Sequence, residues 1–281
     1  MPFLPILAIL TAMVSIQYGA ALAKGLFPML GPIAATLLRL WMAAALLLLI
    51  YRPWRGTSLR GRWPLLVGYG LAMGFMNLCY YLALQRVPMG IVVAIEFLGP
   101  LAVAIATSHR RLDGLWVGLA IVGLLLLLPL QATAPALDLL GVMFALLAGA
   151  GWALYIVFGS RTGDIHGGRT VTLGMLFGAI TVMPSALWID PQVLLDTALL
   201  PIALAVAVLS SALPYTLEMY ALTRLPNQVF SLFMSVEPAL AAIMGALVLH
   251  EQLTVLQLLA IGCVMAASFG SAWASRKGSA S

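Results

Sequence analysis

Ala83-Leu84-Gln85-Arg86-Val87-Pro88 returns in the second half of the chain as Ala221-Leu222-Thr223-Arg224-Leu225-Pro226. At the same offset Pro100-Leu101-Ala102 is matched by Pro238-Ala239-Leu240, so two prolines in each half stand in register. Leu119-Ala120-Ile121 likewise returns as Leu259-Ala260-Ile261, and Gly19-Ala20-Ala21-Leu22 resembles Gly151-Trp152-Ala153-Leu154. Self-similarity on this scale marks a duplicated structural unit. It divides the chain into residues 1–132 and 137–276, joined near Gln131–Asp138.

The nature of the unit follows from its apolar content. Of the 281 residues, 63% are hydrophobic and 8% charged, and the mean hydropathy is +1.08. Soluble domains carry about 25% charged residues, so no soluble core absorbs this much apolar surface. A spanning helix needs about 20 apolar residues to cross roughly 30 Å of hydrocarbon. Apolar runs bounded by charges, Gly and Pro predict helices near 3–24, 32–51, 63–85, 88–107, 113–130, 138–158, 168–188, 198–222, 227–248 and 253–274. The expected fold is therefore an all-α membrane protein of ten transmembrane helices, arranged as two five-helix repeats. The first run ends near Ala21-Leu22-Ala23, a small-residue pattern like a cleavage site. No basic segment precedes it and the second half repeats it, so it is read as the first helix.

Because five is odd, the second repeat enters the membrane inverted, as in many secondary transporters. Two conformations related by that pseudo-symmetry open one midplane site to either side. Basic residues set the orientation. With the N-terminus inside, the inner loops hold Arg52, Arg55, Arg60, Arg62, Arg110, Arg111, Arg161, Arg169, Arg224, Arg276 and Lys277, and the outer loops only Lys24 and Arg86. Both termini are thus expected in the cytoplasm. The outer acids Asp138, Asp190, Asp196 and Glu251 agree with this direction.

A charge inside a span costs about 2.5–3.5 kcal/mol on insertion scales, so it is a functional candidate by default. Arg39, Glu96, Glu218 and Glu237 qualify. At 1.5 Å per residue Arg39 and Glu96 each lie about 11–12 Å in from the outer ends of their helices. They are candidates for an ion pair between helices as well as for substrate contact. Glu218 has Arg224 as an alternative partner, whereas Glu237 has no evident basic mate. Gln17, Tyr18, Asn77, Tyr80, Tyr81, Trp152, Tyr155 and Tyr215 complete the candidate cavity lining.

Prolines inside spans free the carbonyl four residues earlier, an opening tolerated where protein or a water-filled cavity covers it. Pro100 frees Glu96, Pro214 frees Ser210 and Pro238 frees Met234, which makes Gly99, Pro100, Pro214 and Pro238 the candidate hinges. Pro88 and Pro226 fit first helical turns, where a missing donor costs nothing. Gly70-x-x-x-Gly74 and Gly174-x-x-x-Gly178 predict close helix approach.

Catalytic signatures are absent: there is no His-Glu-x-x-His, Gly-x-Ser-x-Gly or P-loop, and none of the three histidines lies mid-span. No enzyme, cofactor or metal is expected, and the dispersed basic residues give no nucleic-acid stripe. Cys79 and Cys263 fall in apolar segments and read as packing residues.

Four stretches carry a family resemblance. They are Ser15-Ile16-Gln17 with Ala23-Lys24-Gly25-Leu26-Phe27-Pro28, Ile95-Glu96-Phe97-Leu98-Gly99-Pro100-Leu101-Ala102-Val103-Ala104, Ser210-Ser211-Ala212-Leu213-Pro214-Tyr215-Thr216-Leu217-Glu218-Met219, and Met234-Ser235-Val236-Glu237-Pro238-Ala239-Leu240-Ala241-Ala242. They closely resemble the first, fourth, eighth and ninth helices of amino-acid exporters in the EamA family of the drug/metabolite transporter superfamily. The likeness covers nearly the whole chain. It implies a secondary transporter of the bacterial inner (plasma) membrane that exports amino acids (threonine and homoserine, methionine or the aromatic ones) and related metabolites by alternating access. Its partners are then an amphipathic substrate, the bilayer and protons as a possible coupling ion, and ten helices suffice for a functional monomer. Three intramembrane glutamates against one arginine keep efflux of cationic or aromatic drugs as the alternative.

Overall fold

The computed structural model describes residues 3–55, 59, 61–106, 113–127, 137–162, 167–225 and 227–278, and every regular element among them is helical. Hydrocarbon offers no hydrogen bonds, so each apolar run satisfies its backbone internally as a helix. In chain order these are α1 (Phe3–Gly25), α2 (Phe27–Tyr51), α3 (Trp63–Leu84), α4 (Met89–Glu96), α5 (Leu98–Ala106), α6 (Asp113–Leu127), α7 (Leu139–Ser160) and α8 (Gly167–Val182). There follow α9 (Pro191–Leu195), α10 (Leu200–Ala207), α11 (Leu213–Leu222), α12 (Asn227–Met234), α13 (Glu237–Leu249) and α14 (Val255–Gly278).

Among the described residues nine stretches are long and apolar enough to cross a membrane, and Gly114–Leu126 is a shorter apolar helix. The expected fifth span ran to residue 130, and its last residues lie outside those described, as do Arg60, Arg110, Arg111 and Pro226. The helices predicted over 88–107, 198–222 and 227–248 are each broken rather than continuous. α4 gives way to α5 at Phe97, α10 reaches α11 through a π-helical turn at Val208–Ala212, and α12 meets α13 at Ser235-Val236. Each break falls just ahead of a proline that cannot donate to the preceding turn: Pro100, Pro214 and Pro238.

The predicted start of the second helix near residue 32 has a local cause as well. α2 extends back to Phe27, but Gly31 interrupts it at φ 69° and ψ 162°, immediately before Pro32. Only glycine holds that backbone without strain. A Cβ there meets nothing within 4 Å, so Gly31→Ala tests the backbone alone. We expect it to cost about 1–3 kcal/mol and to lower the apparent Tm of the detergent-purified protein without changing its oligomeric state.

The two halves interlock. α3 lies along both α7 and α8, α1 along α11 and α13, α2 along α8, and α14 along α6. The two small-residue motifs meet one another: a Cβ on Gly74 would stand 2.5 Å from the Gly178 carbonyl oxygen, and one on Gly70 would stand 3.0 Å from that of Gly174. Glycines there let the α3 and α8 backbones touch. Large apolar side chains such as Leu49, Leu187, Trp188, Leu247 and Val255 are exposed, while Gln17, Arg39, Asn77, Glu96 and Glu237 are buried. An apolar outside around a polar inside is what lipid as solvent selects.

Candidate functional site

The buried polar groups converge on one cavity of about 600 Å³. α1 contributes Gln17, α2 Arg39, α3 Tyr69, Asn77 and Tyr80, the α4–α5 break Glu96, Phe97 and Pro100, and α7 Trp152 and Tyr155. From the second half come Tyr215 and Glu218 on α11 and Glu237 at the start of α13. All three broken spans therefore border it.

Arg39 is 2% exposed and is held on three sides. One terminal nitrogen donates to Asn77 Oδ1, and the other donates to the carbonyl and Oγ of Ser210, each at 3.5 Å. Its guanidinium carbon lies 4.4 Å from the centre of the Tyr81 ring, a favourable cation–π placement. Asn77 is oriented in turn, since its Nδ2 donates to the Met73 carbonyl at 2.8 Å. The Ser210 carbonyl is the one that Pro214 frees, so the arginine serves as its donor.

Of the two readings of Arg39 and Glu96, the ion pair is not formed, because Asn77 and Ser210 take the two terminal nitrogens of the guanidinium. Nor does Arg224 reach Glu218. It folds over the Tyr220 ring at 3.9 Å and donates to the Tyr220 carbonyl at 3.3 Å. Glu237 does have a partner, a glutamine rather than a base: Gln17 Nε2 donates to Glu237 Oε1 at 2.9 Å.

The Glu96 carbonyl freed by Pro100 is covered differently. Gly149 of α7 packs against it, so closely that a Cβ on Gly149 would stand 2.8 Å from the Glu96 oxygen. Gly99 in turn abuts the Gly149 carbonyl. Pro100 lines the cavity, whereas Gly99, Pro214 and Pro238 stand behind its wall.

Two candidates are corrected. Tyr18 is 40% exposed on the outside of α1, because neighbouring helical residues point about 100° apart and Gln17 takes the inward direction. Tyr81 is fully buried and backs Arg39 from behind the wall, packed against Phe27 and Tyr80 with ring centres 5.6 and 5.8 Å apart. Tyr69 was not among the candidates, yet its hydroxyl donates to Tyr155 at 2.8 Å and the two rings stack at 4.6 Å. Its spacing to Met73, Asn77 and Tyr80 places it on the inward face of α3, the periodic signal that points to it. Trp152 meets Phe97 edge-on at 5.1 Å. Thr170 and Ser268 also line the cavity, with hydroxyls that have no partner among the described residues.

The two ends of the cavity differ. Its lining runs out to Ala104, Ser160, Thr162, Thr170, Leu222, Phe230 and Ala272, at the end of the bundle that carries Arg161, Arg169 and Arg224. At the opposite end a polar cluster ties α1 to α4 and to the end of α13. Lys24 Nζ donates to Glu251 Oε1 at 2.6 Å and to the Val87 carbonyl at 2.9 Å, and Glu251 Oε2 accepts from Met89 N–H at 2.8 Å. Left-handed His250 (φ 56°) ends α13 and turns Glu251 back toward α4, whose first free N–H it satisfies. Gly245 leaves room for that carboxylate, since a Cβ there would stand 2.5 Å from Oε2.

Beside this cluster Arg86 donates to Asp138 at 2.8 Å. That bond, aided by the Gly141 and Leu140 N–H groups, holds the Asp138 carboxyl below the usual carboxylate range. The only basic residues expected in the outer loops, Lys24 and Arg86, are thus both ion-paired there.

Comparison with known proteins agrees with this architecture. A profile of the EamA-like transporter family matches residues 3–128 and again residues 139–273. The threonine/homoserine exporter RhtA of Escherichia coli is 49% identical over 98% of this chain and 93% of its own length. That of Salmonella typhimurium is 50% identical over 96% and 91%. A solved crystal structure shares the fold at 19% identity, with a TM-score of 0.64 over 96% of this chain and 98% of that one.

Proposed function

Because the chain belongs to the EamA-like transporter family, we propose that it exports threonine, homoserine and related amino acids across the bacterial inner membrane by alternating access. The observation that carries this reading is the cavity itself. One arginine, three glutamates and an aromatic wall meet there, supplying both signs of charge for a zwitterion and apolar surface for its side chain. Identity near one half to threonine/homoserine exporters over almost the full length supports the substrate class.

In this reading the chain is a monomer of ten spans, the shorter α6 being the fifth, built from inverted repeats over residues 1–132 and 137–276. The separate family matches to each half support the division. With both termini cytoplasmic, the open end of the cavity faces the cytoplasm, where an exporter loads. The cluster of Lys24, Glu251, Val87 and Met89 is then the closed outer gate. Export requires it to open while α4–α5 and α12–α13 rock about their proline breaks and seal the inner mouth.

Flux of labelled amino acids into proteoliposomes, with and without a pH gradient, tests the function. Saturable threonine and homoserine exchange is expected. Transport of a lipophilic cation with no amino-acid flux would overturn the reading in favour of drug efflux. The gate makes its own prediction. Glu251→Gln removes the charge that holds Lys24, and we expect a cysteine placed at Ala20 to react severalfold faster with a membrane-impermeant thiol reagent added outside. An unchanged rate would show that the ion pair does not hold the outer end shut.

A further inference from the structure

Gln17 and Glu237 come from opposite halves of the chain and meet in the cavity wall at 3% and 5% exposure. Gln17 donates through Nε2 to Glu237 Oε1 at 2.9 Å, which leaves its own amide oxygen facing elsewhere. The result is two buried acceptors, Gln17 Oε1 and Glu237 Oε2, with no donor among the described residues. An unsatisfied buried acceptor is costly, so an occupant that supplies donors to both is favoured over one that cannot.

We infer that Gln17 and Glu237 form the seat for the substrate's ammonium group and make the cavity selective for primary amines. Donor geometry sets the preference. An amide oxygen and a carboxyl oxygen, both without a donor on one hydrogen-bonded pair of side chains, are complemented by a cation that presents several N–H bonds from one centre. A hydroxyl supplies only one donor, and a quaternary nitrogen supplies none. Lipophilic quaternary drugs therefore gain the charge attraction but leave both oxygens unpaired, whereas an amino acid satisfies both. At the other pole Arg39 keeps one unpartnered donor, Nε, which suits the substrate carboxylate. The assignment deepens the amino-acid export reading proposed above and takes it as a premise.

The test compares L-threonine with its N-trimethyl derivative and with 2,3-dihydroxybutanoate, in which a hydroxyl replaces the ammonium. Thermal stabilisation of the purified protein reads binding, and competition with labelled threonine in proteoliposomes reads transport. Wild-type protein is expected to prefer threonine over either analogue by about tenfold or more, the equivalent of about 1.4 kcal/mol. Gln17→Leu should raise KM for threonine by a similar factor. Equal binding of threonine and its trimethyl form by the wild-type protein would overturn the seat, and that comparison needs no variant. So would a Gln17→Leu protein that keeps the wild-type KM. Selective binding of threonine without flux would leave the seat standing and overturn the export reading instead.

Discussion

Gly99→Val protein is expected to fail to accumulate as a monodisperse species, or to do so with a sharply lowered apparent Tm. At that point α4–α5 crosses α7 backbone against backbone. A Cβ on Gly99 would overlap the Gly149 carbonyl, and one on Gly149 would press on the carbonyl of Glu96. A flexible side chain swings aside when crowded, but main chain does not, so the two helices must part. Parting them uncovers the Glu96 carbonyl that Pro100 has already deprived of its donor and dislodges Glu96, Phe97 and Pro100 from the cavity wall. Ordinary overpacking costs about 1–3 kcal/mol. With an uncovered carbonyl added, the expected loss is about 3 kcal/mol or more, a large share of a total stability of about 5–15 kcal/mol. Size-exclusion profiles and thermal scans in detergent read the outcome, with Gly99→Ala as the milder member of the series. A Gly99→Val protein with wild-type Tm would refute the backbone contact.

Arg39→Ala should abolish threonine exchange while leaving enough folded protein to assay. The substitution removes the donor to Asn77 Oδ1 and to the Ser210 carbonyl and leaves the Tyr81 face without its cation. Each orphaned buried acceptor costs about 1–3 kcal/mol. The π-helical turn ahead of Pro214 loses the group that ties it to α2, and a misplacement of about 1 Å in a binding site can cost about a hundredfold in rate. Arg39→Lys is not expected to rescue function, because an ammonium lacks both the planar fork that reaches two partners and the flat surface that stacks on a ring. Counterflow normalised to correctly inserted protein is the measurement. Wild-type flux in Arg39→Ala would remove the residue from the transport site.

Much of the membrane architecture was legible in the amino-acid sequence because it rests on long-window quantities. Apolar run lengths report hydrocarbon thickness, and the prolines within them mark where the helices bend. Both glycine motifs were readable for the same reason, since a spacing of four lays small residues along one helix face. The charges of the cavity were legible because burial in a membrane is costly enough to need a cause. Their partners were not. Whether Arg39 turns to Glu96 or to Asn77 depends on helix rotation and rotamer, which a one-dimensional pattern leaves open. Tyr18 and Tyr81 show the same limit, since each is adjacent in sequence to a lining residue and so points away from it. Lys24 and Glu251 look like loop charges in the sequence, and nothing local brings together residues 227 positions apart.

Three side chains of α1 have polar partners from late in the chain. Ser15 donates to the Leu209 carbonyl, Gln17 to Glu237 and Lys24 to Glu251, at separations of 194, 220 and 227 residues. Synthesis runs in the other direction, with N-terminal segments emerging first. The first helix to leave the ribosome therefore waits for nearly the whole of translation before its glutamine and lysine meet Glu237 and Glu251. During that interval the nascent bundle carries unpaired polar groups beside lipid, and a ribosome that stalls before α13 leaves a product that cannot complete itself.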